Sequence, residues 1–147
     1  MQEAARIMDN AAQLNVLVAA ANPMQLKILK GVLERAGHRV VSSTTSDGAL
    51  DEIEAKTGGF DLAIVDEDLP GLGGLDVIRV LRYLDVDAHT PAIIRCNEIA
   101  EETKVSCIAA GADECLPNPV DPDALLETVT KLAQPENATD GKKLGAG

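Results

Sequence analysis

The chain is nearly without aromatic residues, with one Phe, one Tyr and no Trp in 147 residues. Its core must therefore be assembled from Leu, Ile, Val and Ala. Positive charge is also scarce: 13 Lys and Arg stand against 24 Asp and Glu, for a formal net charge of -11. A surface this acidic repels nucleic-acid phosphates and anionic membranes. It leaves proteins with basic or apolar faces, or a cation, as partners. No apolar run is long enough to span a bilayer. The first ten residues are amphipathic and acidic and lack an apolar signal-peptide core. Cysteine is limited to Cys96, Cys107 and Cys115, all within apolar segments. An odd, unpaired count of this kind is no disulfide framework, and reads as reduced thiols packed in the core of a cytoplasmic protein.

What is present is an alternation of strand-like and helix-like apolar periods, on a length that suits one domain. Val16–Ala19, His38–Ser42, Leu62–Asp66, Ala92–Arg95 and Glu114–Leu116 read as strands. Between them, Asn22-Pro23 opens a helix carrying Leu26, Leu29 and Leu33, which Gly37 stops. Ser46 is expected to cap a short helix through Ile53. Leu75–Leu84 and Ile99–Ala110 supply two more, and Asp121-Pro122 caps the last. Five βα units in series predict a single flavodoxin-like (βα)5 domain over residues 14–133. Its parallel sheet has order 2-1-3-4-5, with helices on both faces. Residues 1–13 are expected to form an N-terminal helix or linker, and 134–147 a polar, glycine-rich tail or linker.

Within this frame Asp66 is the most informative residue. The run Phe60 to Val65 is apolar and β-branched and ends on an acid, followed by the turn Glu67 to Gly74. That arrangement offers a carboxylate to the crevice above a parallel sheet.

Four motifs share one register: Val16 to Pro23, Asp66 to Gly74, Ile93 to Asn97, and Gly111 to Pro119. In this register the chain resembles the receiver domain of two-component response regulators (the CheY-like family), especially receivers attached to hybrid sensor histidine kinases. In active members of that family two acids end strand one and hold Mg²⁺. An aspartate ending strand three takes a phosphoryl group from a phosphohistidine. A Thr or Ser ends strand four, an aromatic switch residue lies on strand five, and a Lys before a proline ends it. The resemblance makes Asp66 the phosphoacceptor position and retains Pro70, Gly74 and Pro119, the last following a bond that is cis in the family. The acid pair falls at Ala20 and Ala21, the hydroxyl at Cys96, the switch at Cys115 and the lysine at Asn118.

Phosphoryl transfer is mostly positioning and charge neutralisation. Mg²⁺ needs oxygen ligands in octahedral array, and two alanines supply none. Asn118 donates hydrogen bonds without positive charge. The expectation is a pseudo-receiver of a two-component pathway, regulatory and not an enzyme, with Asp66 a vestigial or weak phosphoacceptor. No cofactor is expected beyond weak Mg²⁺, for which Asp68 is the substitute ligand considered. Partners implied by the resemblance are a histidine kinase domain, another receiver or an output domain, with a homodimer as a further option.

Two alternatives remain. Asp66 could act as a slow phosphoacceptor in a phosphorelay. Or a small ligand, such as a cyclic dinucleotide touching Arg95, could replace the phosphate switch. Arg95 interrupts an apolar strand; it reads either as a snorkelling strand-end side chain or as an anion or partner contact. Tyr83, near Arg79 and Arg82, is the other interaction candidate. Cys96 and Cys115 should be neighbours above adjacent strands, and as buried thiols they read as inert. His38 and His89 have no triad or metal partner at useful spacing.

Overall fold

A computed structural model describes residues 13–56, 59–84, 89–118 and 121–133. The segments expected at 1–13 (Gln13 apart) and 134–147, and Pro119, lie outside the described residues. The elements alternate without exception: β1 (Asn15–Ala19), α1 (Pro23–Arg35), β2 (Arg39–Ser43), α2 (Ser46–Ala55), β3 (Leu62–Asp66), α3 (Gly74–Leu84), β4 (Ala92–Cys96), α4 (Glu101–Ala110), β5 (Glu114–Pro117) and α5 (Pro122–Ala133). The strands pair in parallel in the order β2-β1-β3-β4-β5. This is the flavodoxin-like architecture expected from the sequence.

The three central strands are apolar on both faces because helices cover both. Pleating divides them by parity. Leu17, Ala19, Ala63, Val65, Ala92, Ile94 and Cys96 join the core under α2, α3 and α4. Val16, Val18, Ala20, Leu62, Ile64 and Ile93 join the core under α1 and α5. By the same parity Asp66 and Arg95 project to the α1/α5 side, and they are register partners at the ends of β3 and β4. Strand order reverses between β1 and β3, so Asp66 borders the crevice where such folds place their chemistry.

Helix ends follow local capping with two differences from expectation. Asn22 accepts the Gln25 N–H at 3.0 Å with Pro23 at the first helical position, and Asp121 accepts the Ala124 N–H at 3.1 Å. At α2, however, the cap is Thr45, which accepts the Gly48 N–H at 3.0 Å. Ser46 is buried, and its hydroxyl instead accepts the Leu72 N–H at 2.7 Å, tying α2 to the turn after Asp66. Helix α4 begins at Glu101 rather than Ile99, and its cap position, Ala100, has no side-chain acceptor.

Candidate functional site

The turn that follows β3 fixes Asp66. The Gly74 N–H donates to the Glu67 carbonyl at 3.0 Å. A Cβ at Gly74 would run into the Asp66 carbonyl oxygen, so only glycine lets α3 start this close to the strand end. Gly71 has φ +103, a left-handed conformation, and its α-carbon faces the Ser46 hydroxyl. Both glycines serve the position of the acid.

Asp66 itself is buried, and both carboxylate oxygens already have donors. Oδ2 accepts the Ala21 N–H at 3.1 Å. Oδ1 accepts Nε–H of Arg95 at 2.7 Å, in an ion pair whose side chains are 4% and 2% exposed. The second terminal nitrogen of Arg95 donates to Gln25 Oε1 at 2.8 Å and Asn118 Oδ1 at 3.0 Å. Asn118 in turn donates to Asn97 Oδ1 at 3.1 Å. Helix α1, strand β3 and the end of β5 therefore meet one guanidinium carried by β4, while the chain just past β1 holds its carboxylate partner. No buried side-chain nitrogen or oxygen among the described residues lacks a partner.

This corrects two expectations. Arg95 is neither a snorkelling chain nor a surface contact, because it is enclosed in the pocket. The ligand reading that relied on Arg95 touching a cyclic dinucleotide loses its only residue. Asp66 is also not without a cation: Asn118 brings none, but Arg95 does, from the neighbouring strand. The clue in the sequence was parity. Arg95 stands two residues after Ile93 and opposite Asp66 in a parallel register, which puts it on the Asp66 side of the sheet.

The first-strand positions Ala20 and Ala21 present no side-chain oxygen. Ala20 is packed in the core, while Ala21 offers only its backbone N–H to Asp66. Asp68 is exposed in the turn. An octahedral Mg²⁺ ion needs several oxygens. The Asp66 carboxylate, the one acid buried at this place, is taken up by a guanidinium.

The opposite face of the β4–β5 end holds the thiols. Cys96 and Cys115 are neighbours, as expected, and Cys107 of α4 completes a group the sequence reading did not assemble. The three sulfurs all lie within 4.8 Å of one another, with Cys96 and Cys107 at 3.7 Å. Cys107 occupies the buried side of α4 together with Ala110. Burial pushes the Cys96 and Cys107 thiols up from 9.0 to about 11, and Cys115 to about 12. Tyr83 is 83% exposed at the end of α3. A further polar group stands at the far end of the sheet. There Asp113 accepts from the Ala92 N–H at 2.9 Å, meets Arg82 at 3.1 Å and lies 2.8 Å from His89 Nε2. It joins α3 to the entry of β4.

A family model for the response regulator receiver domain matches residues 16–130. The chain belongs to this family. It is 31% identical over 122 residues to the sensory/regulatory protein RpfC of Xanthomonas campestris pv. campestris, covering 82% of this chain and 16% of that protein. It is 29% identical over 119 residues to the aerobic respiration control sensor protein ArcB of Escherichia coli, covering 81% and 15%. The chain thus spans about one sixth of the length of these relatives. A CheY-like receiver domain protein from Methanospirillum hungatei JF-1 superposes with a TM-score of 0.76 at 27% identity, covering 88% of this chain and 99% of that one. The receiver resemblance and the flavodoxin-like sheet order read from the sequence both stand. No described helix is long and apolar enough to cross a membrane.

Proposed function

We propose that this receiver domain is a pseudo-receiver, which regulates a kinase or output domain by protein–protein contact without depending on phosphorylation. The observation that carries the reading is the buried Arg95–Asp66 pair. In a working acceptor site the carboxylate must be free to attack phosphorus, while a divalent ion and a lysine neutralise the charge that develops. Here one carboxylate oxygen is bound by a guanidinium and the other by a backbone N–H. The residues at the metal positions, Ala20 and Ala21, carry no side-chain oxygen and do not fit Mg²⁺. Desolvated and paired, the carboxylate is part of the scaffold. The role is regulatory rather than catalytic.

The partner is expected to be a histidine kinase domain, another receiver or an output domain. Support comes from the two relatives named as sensor or sensory proteins, each far longer than a receiver. The exposed Tyr83 and Leu84 at the end of α3, with Val105 and Ile108 on α4, offer apolar contact area on an acidic surface.

The test is direct. The chain is incubated with acetyl phosphate and Mg²⁺ and its intact mass is followed beside that of Asp66→Asn. The expected result is no phosphoryl adduct on either. An adduct on the parent chain that is absent from Asp66→Asn would establish the slow phosphoacceptor reading instead, with Arg95 serving as the cation.

A further inference from the structure

We propose that Cys96, Cys107 and Cys115 form a three-thiol site for a trivalent, thiophilic oxyacid of the arsenite type, bound through three sulfur bonds. The inference is independent of the pseudo-receiver reading.

Geometry comes first. The thiols come from β4, α4 and β5, and their sulfurs already lie within 4.8 Å of one another. A pyramidal As(III) centre with bonds of about 2.3 Å to three sulfurs holds those sulfurs about 3.3–3.5 Å apart. The Cys96–Cys107 separation of 3.7 Å is within a few tenths of an ångström of that. Cys115, the half-buried member, lies within 4.8 Å of both other sulfurs and completes the triangle. The same residue gives the site its opening to solvent. Three-coordination by sulfur selects soft central atoms over Mg²⁺ or Ca²⁺.

Charge then chooses among the soft ions. The surroundings of the thiols are apolar, with Ile94, Ala112 and Ile99 in the same core. The charged residues acting on the group are acids, Glu67 and Glu114, and both disfavour thiolate. Zn²⁺ or Cd²⁺ on three thiolates would leave a net negative charge buried beside them, which is costly. Arsenous acid avoids this cost. As(OH)₃ and three thiols give As(SR)₃ and three waters: three As–O bonds break, three As–S bonds form, and each thiol proton leaves on a departing hydroxide as water. No oxidant or reductant is needed, and reactants and product are all neutral. Thiols that hold their protons tightly are therefore no obstacle to this chemistry, whereas they oppose ligation of a divalent cation.

Occupancy would tie α4 to the ends of β4 and β5. Helix α4 has no side-chain cap at its start, so this link should raise its protection against hydrogen exchange.

The experiment uses the full chain, reduced with a phosphine and titrated with sodium arsenite. Intact mass, sulfur-to-arsenic absorbance in the ultraviolet, and free thiols counted after acid quench are the readouts. The expected result is one arsenic per chain, loss of all three free thiols, and slower hydrogen exchange in α4. Cys96→Ser, Cys107→Ser and Cys115→Ser should each weaken binding by at least about 100-fold. Circular dichroism verifies folding. Cys115→Ser, at the half-buried position, is the variant expected to fold even if the other two do not. Arsenic uptake that survives Cys107→Ser, or that consumes only two thiols, would overturn the three-thiol site. Displacement of arsenite by an equal concentration of Zn²⁺ or Cd²⁺ would overturn the charge argument. No binding at all would overturn the proposal outright.

Discussion

Arg95 and Cys96 are adjacent in sequence, yet the pleat of β4 sends them to opposite sides of the sheet. On the α1/α5 side, Arg95 enters a pocket already containing an acid, and the pocket becomes a fully paired charged network. On the α4 side, Cys96 meets two more thiols, and that pocket is neutral, polarisable and free of buried charge. By the receiver resemblance read from the sequence, both pockets correspond to positions where active members of the family carry their acids, hydroxyl, lysine and switch ring. When such a set is lost, the space must be refilled by something the interior tolerates. One side satisfies charge with charge; the other dispenses with charge.

The contrast is broken most severely by removing one partner of the ion pair. Asp66→Ala leaves a guanidinium in the interior with only neutral acceptors, and should cost about 3–5 kcal/mol in urea unfolding. The double variant Asp66→Ala/Arg95→Met removes both charges and fills the space with apolar atoms. It should regain most of that loss, since a buried pair exchanged for packed apolar side chains is often neutral. A single variant that costs as little as a surface substitution would mean that the pair does not hold the pocket, and the two sides would no longer differ in kind.

How far this was legible in the sequence depends on the distance over which the information acts. Strand and helix periods are local, and so the five βα units and the sheet order could be read from Val16–Ala19, Leu62–Asp66 and their successors. Asp66 was legible for the same reason: an acid ending an apolar run. The partner of Asp66 was not read, because Arg95 lies 29 residues away and its role depends on two parities agreeing across a register. Cys107 was missed for a related reason. It sits on a helix with weak apolar periodicity, and only the packing of α4 onto the sheet brings its sulfur to those of Cys96 and Cys115. Ser46 was misread as a cap because Thr45, one residue earlier, competes for the same backbone donor.

The neutral side can be tested by pH. Each thiol has a folded-state value above the ordinary 9.0, at about 11 for Cys96 and Cys107 and about 12 for Cys115. A group that keeps its proton longer when folded contributes stability that is complete below its unfolded value and is lost as pH rises through its folded value. Unfolding free energy should therefore decline from about pH 9 upward. The decline should be shallower in a Cys96→Ala/Cys107→Ala variant, which leaves one thiol to titrate. The charged side offers no comparable thiol, so Asp66→Asn should leave this alkaline slope unchanged. A slope indifferent to the cysteines would mean that the cluster is more hydrated than its burial implies.

The smallest expected effect sharpens the charged side. Gln25 and Asn118 accept from the same terminal nitrogen of Arg95, at 2.8 and 3.0 Å. Either Gln25→Ala or Asn118→Ala removes one acceptor and leaves the other in place. The Asp66 bond at 2.7 Å is untouched in both. Each single variant removes one hydrogen bond to a charged group and should cost about 1.5–2 kcal/mol. Removing both leaves that nitrogen buried without an acceptor from either side chain, and an unsatisfied charged donor costs more than a lost hydrogen bond. The double variant should thus be destabilised by more than the sum of the singles, a coupling that a double-mutant cycle in urea reads directly. Additive losses would mean that water takes over the vacated acceptor role, and that the pocket is open to solvent on its α1 side.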